Sequence, residues 1–200
     1  MTTTLEASTA VRTRPAPAPS GAPAGAATWN IDASHSHVEV AVKHLMISTV
    51  KGRFADVEGT IVLDEANPAN SSFDARIPVA SIETKEASRD AHLRSADFFD
   101  AENHPYLTFV SGRVEPQGGN EFTVYGDLTI RGITREVALE GEYAGAVATP
   151  FGTKVAAFSA RTKVNRKDYG LNWNAALETG GVLVGDEVKI SLEIEAIQQA

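Results

Sequence analysis

From Trp29 onward the chain repeats with a period of two, and nothing else in it constrains the fold as strongly. In SHVEVAVKH, Val38, Val40, Val42 and His44 fall on one face, and His37, Glu39, Ala41 and Lys43 fall on the other. Successive side chains of an extended strand point to opposite sides, so this alternation reads as a strand with one buried face. KGRFADVEGTIVLD alternates through Gly52 and Phe54, slips phase near Asp56, and resumes at Val57, Gly59, Ile61 and Leu63. A bulge or bend produces such a slip. Phe73, Ala75 and Ile77 alternate as far as Pro78, whose missing N–H interrupts a ladder. YLTFVSGRVE and EFTVYGDLTI flank the turn residues PQGGN and read as a hairpin. RGIT then makes a tight connection to REVALEGEYAG, and TKVAAFSARTKV and EVKISLEIEAI follow.

These runs amount to eight long strands joined mostly by short turns. The fold class is all-β, and an open sheet of this length would leave two long edges unpaired. Closure into an antiparallel barrel removes them, and about eight strands enclose either packed side chains or one small ligand. Several positions in the inward phase are small: Gly59, Ala75, Gly126, Gly141, Ala156 and Ala160. They fit a cavity, and they equally fit barrel taper and backbone bending.

Composition narrows the functions open to such a barrel. There is no cysteine, which excludes disulfides, thiol catalysis and thiolate metal sites. The net charge is -8, with acids and bases interspersed. Without a basic stripe, nucleic acid is not an expected partner. No run approaches the ~18 apolar residues of a membrane span. Residues 1–28 are rich in Ala, Pro and Thr, with no aromatic before Trp29. We expect a disordered tail there and one domain over 29–200. The tail lacks the basic start and apolar run of a secretory signal, so the expected location is cytoplasmic.

One segment breaks the strand pattern. RDAHLRSADFFD (Arg89–Asp100) separates the third and fourth strands, where a hairpin turn would suffice. ETKEASRDAHL reads as a short helix with Thr84 as N-cap and Glu86 in its first turn. Ser95 can cap a further turn, with Phe98 and Phe99 anchoring the segment as a cover on the barrel.

Seven phrases occur in order between Trp29 and Ala196: IDASHS, VKHLMISTVKGRF, SIETKEASRDAHLRSADFFDAENHP, LTF, GDLTIRGITREV, VNRKDYGL and VGDEV. Together they resemble the YceI-like family of lipocalin-like, polyisoprenoid-binding proteins. The resemblance implies an eight-stranded, up-and-down, lipocalin-like barrel with a short helical insertion between strands 3 and 4. It also implies an interior that takes a long-chain apolar small molecule, such as a polyisoprenoid, an isoprenoid quinone or a fatty chain. A homodimer is implied only by the resemblance. Neither a cofactor nor a reaction is implied, so the expectation is a binding protein and not an enzyme.

The inward phase and the cover nominate cavity-lining residues: Val38, Val40, Val42, His44, Phe54, Phe98, Phe99, Phe109, Leu128, Phe158 and Trp173. Phe122 and Tyr169 divide with them between cavity and core. His44 can meet a ligand's polar head or be a core histidine bonded to a neighbouring strand; the latter is the commoner state of buried polar groups. Arg89, His92, Arg94 and Arg166 can greet an anionic headgroup, or tie loops and helix ends together, as we expect of Asp90 and Asp168. His35 and His37 have the H-x-H spacing of a metal pair, with Glu39 as a third ligand, but the face is the polar one and short spacings arise by chance. A triad from His92, Asp90 and Ser88 or Ser95 would crowd into two turns of one helix, and there is no G-x-S-x-G elbow. Two alternatives stay open. One is a metal- or His-dependent factor acting on an isoprenoid or quinone, which needs His35, His37 and His92 to converge. The other is a ligand-free stress-response barrel.

Overall fold

The computed structural model describes residues 25–176 and 181–200. The tail expected over 1–28 lies largely outside them, and the first strand already begins at Ala27. Six short strands form three interrupted ones: β1 (Ala27–Ile31) with β2 (His37–His44), β3 (Ser48–Phe54) with β4 (Glu58–Leu63), and β5 (Ser72–Pro78) with β6 (Ile82–Glu83). Five long strands follow: β7 (Tyr106–Gly118), β8 (Glu121–Ile130), β9 (Ile133–Ala148), β10 (Lys154–Asn165) and β11 (Val184–Gln198).

All pairings are antiparallel, and the contact of β1 with β11 closes the circuit β1-β4-β5-β7-β8-β9-β10-β11. The protein is therefore the expected eight-stranded up-and-down barrel. β11 pairs with β1 through Ala196–Gln198 and with β2 through Val184 and Val188–Glu193, so β1 and β2 are two halves of one strand. The phase slip near Asp56 is the break between β3 and β4, and Pro78 ends β5. Arg131 and Gly132 both have positive φ, 50° and 73°, which gives the tight turn between β8 and β9 the twist that flanking strands need.

In the upper half, β6 pairs with β3, whereas β7 lies on β5. The wall has a gap there, and the helical insertion fills it. α1 (Ala87–Arg94) is the one α-helix among the described residues. Its N-cap is Glu86, not Thr84: the Glu86 carboxylate accepts from the Ser88 and Arg89 amides. Thr84 is already engaged, since its amide and its hydroxyl both donate to buried Asp90. Lys85 then turns the chain at φ 62°. Ser95 does cap a turn, accepting from the Asp97 amide at 3.3 Å.

The inward small residues turn out to serve different ends. Ala75 and Ala160 line a cavity. Ala156 is sealed into the barrel base beside Trp29, Ile61, Leu63, Phe158 and Ala196. Gly126 and Gly141 lie under the rings of Phe109 and Phe122. A methyl group at Gly126 would stand 2.5 Å from Phe109 Cζ and 2.6 Å from the Val110 carbonyl oxygen. The ring can turn but the backbone cannot, so Gly126→Ala is expected to cost about 1–3 kcal/mol. It should lower the urea midpoint without changing the slope. An unchanged midpoint would mean that the strands separate there at no cost.

Candidate functional site

The barrel encloses a cavity of about 170 Å³ whose accessible wall is wholly apolar. Of the nominated residues, Val38, Val40, Phe54, Phe99, Phe109, Leu128 and Phe158 line it. Its lower limit is the base cluster around Trp29, which is 1% exposed. A second cavity of about 380 Å³ lies at the upper end, between the β2–β3 hairpin, α1 and the chain that follows β10. Val42, His44, Phe98 and Trp173 belong to this vestibule. Val40, Phe99, Arg166, Leu171 and Val188 line both spaces and mark where the two adjoin.

The cover over the vestibule is aromatic. His92 meets Phe98 edge to face at 5.0 Å and Trp173 at 4.7 Å, with Phe98 and Trp173 5.3 Å apart. Phe98 is 8% exposed. Phe99 reaches inward to Phe54 at 5.8 Å. Such pairs add to the stabilisation from burial alone, so the segment is a packed part of the wall.

The charged candidates separate by what already occupies their donors. Arg166 is 4% exposed. It donates to the carbonyls of Gly185, Leu171, Trp173 and Val184 and to the Asp186 carboxylate. Burial pulls its guanidinium below the usual value, and Asp186 partly offsets this. With its fork spent on protein acceptors, Arg166 takes the loop-tying one of the two roles its sequence left open, although it lines both cavities. Arg94 does the same: it donates to the Ala80 and Ile82 carbonyls at and just before β6, and it lines neither cavity. Arg89 donates to the hydroxyl and carbonyl of Thr84, and His92 bonds Asp97 at 2.9 Å, yet both line the vestibule beside Lys43 and His44. The core partner expected for His44 is not found among the described residues; the ring forms part of the vestibule wall.

The histidines of the metal reading do not converge. His35 sits in the turn before β2, off the strand, so the alternation that would align it with His37 does not apply. Its Nδ1 lies 2.8 Å from Asp32 and 3.7 Å from Glu195, the one cluster of metal-ligand types among the described residues. Hydrogen bonds from Ser34 and His35 hold the Asp32 carboxyl down at about 2, and Asp32 in turn raises His35. This is an exposed turn held by charge. Glu39 pairs with Lys51. In the helix, Asp90 serves Thr84, Ser88 Oγ donates to Glu86 and Ser95 Oγ to the His92 carbonyl. No Ser–His–Asp relay forms among them.

Two loop residues join the wall: Tyr169, which its sequence left between cavity and core, and Leu171, which no alternation marks. Tyr169 and Leu171, 2% and 6% exposed, line the interior cavity from the loop after β10. The turn Arg166–Tyr169 is closed by Gly170 in the left-handed conformation, φ 74°, which brings both side chains back over the barrel. The Asn-Arg-x-x-x-Gly pattern marks such a turn, but no periodicity marks which way its side chains face.

Comparison with known proteins places this geometry in context. The profile described as the YceI-like domain matches residues 29–196. A UPF0312 protein of Staphylococcus epidermidis is 39% identical over 168 residues, covering 84% of this chain and 95% of that protein. Among solved structures, Burkholderia cenocepacia BcnA superposes with a TM-score of 0.73 at 27% identity, covering 82% of this chain and 98% of BcnA. The Campylobacter jejuni YCEI protein does so with 0.68 at 31%, covering 79% and 90%. A domain from Saccharophagus degradans, described as polyisoprenoid binding, shares the fold at 14% identity and TM-score 0.61, covering 86% and 98%.

Proposed function

The chain belongs to the YceI-like family, and on that premise we propose that it binds a long-chain apolar molecule, an isoprenoid or fatty chain, along the barrel interior. The observation that carries this is the wholly apolar cavity adjoining a vestibule with cationic and polar side chains. An apolar chain transferred there from water gains about 25 cal/mol per Å² buried, or about 0.8 kcal/mol per methylene. The vestibule can take a polar end, with Lys43, His44, Arg89 and His92 in its wall. The description of the Saccharophagus degradans domain as polyisoprenoid binding supports the same class of guest. The role is that of a carrier or store rather than a catalyst, because binding of this kind asks only for shape and apolar surface. Native mass spectrometry of protein purified without detergent from its own host, followed by organic extraction, should reveal an added isoprenoid or fatty mass. Protein that is always empty, and that takes up neither geranylgeraniol nor palmitate when they are added, overturns the proposal.

A further inference from the structure

The turn between β2 and β3 carries residues that its backbone disfavours. The His44 carbonyl accepts from the Ile47 amide at 3.2 Å, and the two residues between them, Leu45 and Met46, have φ 53° and 62°. Both central residues of a type I′ turn lie in this left-handed region, which suits Asn and Gly and is poorly tolerated by bulky side chains. An Asn-Gly pair there would relieve the backbone and face water readily. This chain instead places Leu45, Met46 and Ile47 in succession, with Met46 58% and Ile47 82% exposed. Strain and apolar exposure coincide at a tip whose fold needs neither, and such an outlier points to a use outside the fold. The tip also stands on the lip of the vestibule. The Leu45 amide donates to the Leu183 carbonyl at 2.9 Å, and Lys43, His44 and Leu183 belong to the vestibule wall.

We propose that the Leu45–Ile47 tip seats the mouth of the barrel on a lipid bilayer surface, from which the guest passes into the vestibule without crossing water. This rests on the reading of the barrel as a binder of long apolar chains and goes further by naming the surface that supplies them. Such chains dissolve poorly in water and reside in lipid, so a mouth that meets the lipid spares them the aqueous step. The size of the tip fits a bilayer better than a protein. Two exposed side chains fall far short of the about 800 Å² that each partner buries in a stable protein complex. They suffice to enter the boundary between headgroups and acyl chains. The charge beside them agrees. Lys51 on the same hairpin pairs with Glu39, whereas no ion pair is found for exposed Lys43 among the described residues. A lysine at that level can bury its stem and leave its ammonium among lipid phosphates. Phe151, 93% exposed, also offers an apolar side chain, but it sits in the turn between β9 and β10 at the closed end of the barrel. A bilayer held there would face the base cluster and could deliver nothing to the vestibule.

The test loads phosphatidylcholine vesicles with hexadecan-2-one and follows its transfer to the full chain, cleared of lipid, by native mass spectrometry of timed samples. Met46→Asn combined with Ile47→Ser removes the apolar tip and eases the turn, since Asn tolerates the left-handed region. The expected result is transfer from vesicles about tenfold slower in this double variant, with unchanged affinity for the ketone delivered as a cyclodextrin complex. Phe151→Ser is the control and should transfer at the parent's rate. Equal rates in the parent and the double variant overturn the proposal. So does an equal slowing by Phe151→Ser, which would make the effect one of general apolar stickiness. So does a parent dimer that the double variant dissolves, seen by sedimentation equilibrium, which would give the tip to a second copy of the chain. A parent that takes up no ketone even from cyclodextrin is a distinct outcome: it removes the reading of the barrel as a binder and, with it, this route of entry.

Discussion

An Ala160→Trp variant should fold and lose its capacity for long apolar chains. Ala160 lies on β10 between Gly141 of β9 and Leu192 of β11, on the inward face, and lines the interior cavity. An indole placed there occupies much of a space of about 170 Å³. Excluding the length of about five methylenes removes about 4 kcal/mol of transfer free energy, close to a thousandfold in affinity. The overpacked barrel should itself lose about 1–3 kcal/mol. Far-ultraviolet circular dichroism would confirm the barrel, and uptake of hexadecan-2-one would measure the site. Ser191→Trp is the matched control, on the outer face of the neighbouring strand. If Ala160→Trp takes up the ketone as the parent does, the guest does not lie in the barrel interior.

Arg166→Leu should be the most destabilising single change at the site. Leucine keeps the apolar contacts but leaves the carbonyls of Gly185, Leu171, Trp173 and Val184 without this donor. Breaking such a buried cluster from one side costs about 3–5 kcal/mol, roughly 10 °C or more in melting temperature for a chain of this size. Arg166→Lys should recover little, because an ammonium cannot reproduce the planar fork that reaches several acceptors at once. A variant that melts with the parent but loses affinity for anionic chains would return Arg166 to a headgroup role and refute the strut.

The barrel itself was legible because a period of two is a local signal that each strand carries in its own residues. Even the interruptions were written locally, in the phase slip at Asp56 and in Pro78. β1 was not, because ATWNI carries only two large apolar residues and follows a stretch of tail-like composition. Its strand character comes from β4 and β11, which flank it from far along the chain. The helix cap moved from Thr84 to Glu86 for a related reason. Thr84's donors are claimed by Asp90, and a side chain engaged across a turn is invisible to a rule about sequence neighbours. The site divided the same way. Residues in phase on strands were placed on the cavity wall, whereas Arg94, Arg166 and Tyr169 depended on where loops deliver them. Arg94 and Arg166 could each have met a headgroup or tied the chain together, and the carbonyls delivered beside them favour the tie.

The base cluster around Trp29 makes the interior a blind tube, and a blind tube is a ruler. A chain that enters from the vestibule advances until it meets the floor formed by Trp29, Ile61 and Phe158. Carbons beyond that depth would remain in the vestibule, past Val40, Phe99, Leu171 and Val188. On the proposed reading, each added carbon would lift the guest's polar end by a fixed step toward Arg89 and His92. A vessel closed at one end in this way would sort its guests by length as well as by kind, and would exchange them through the vestibule.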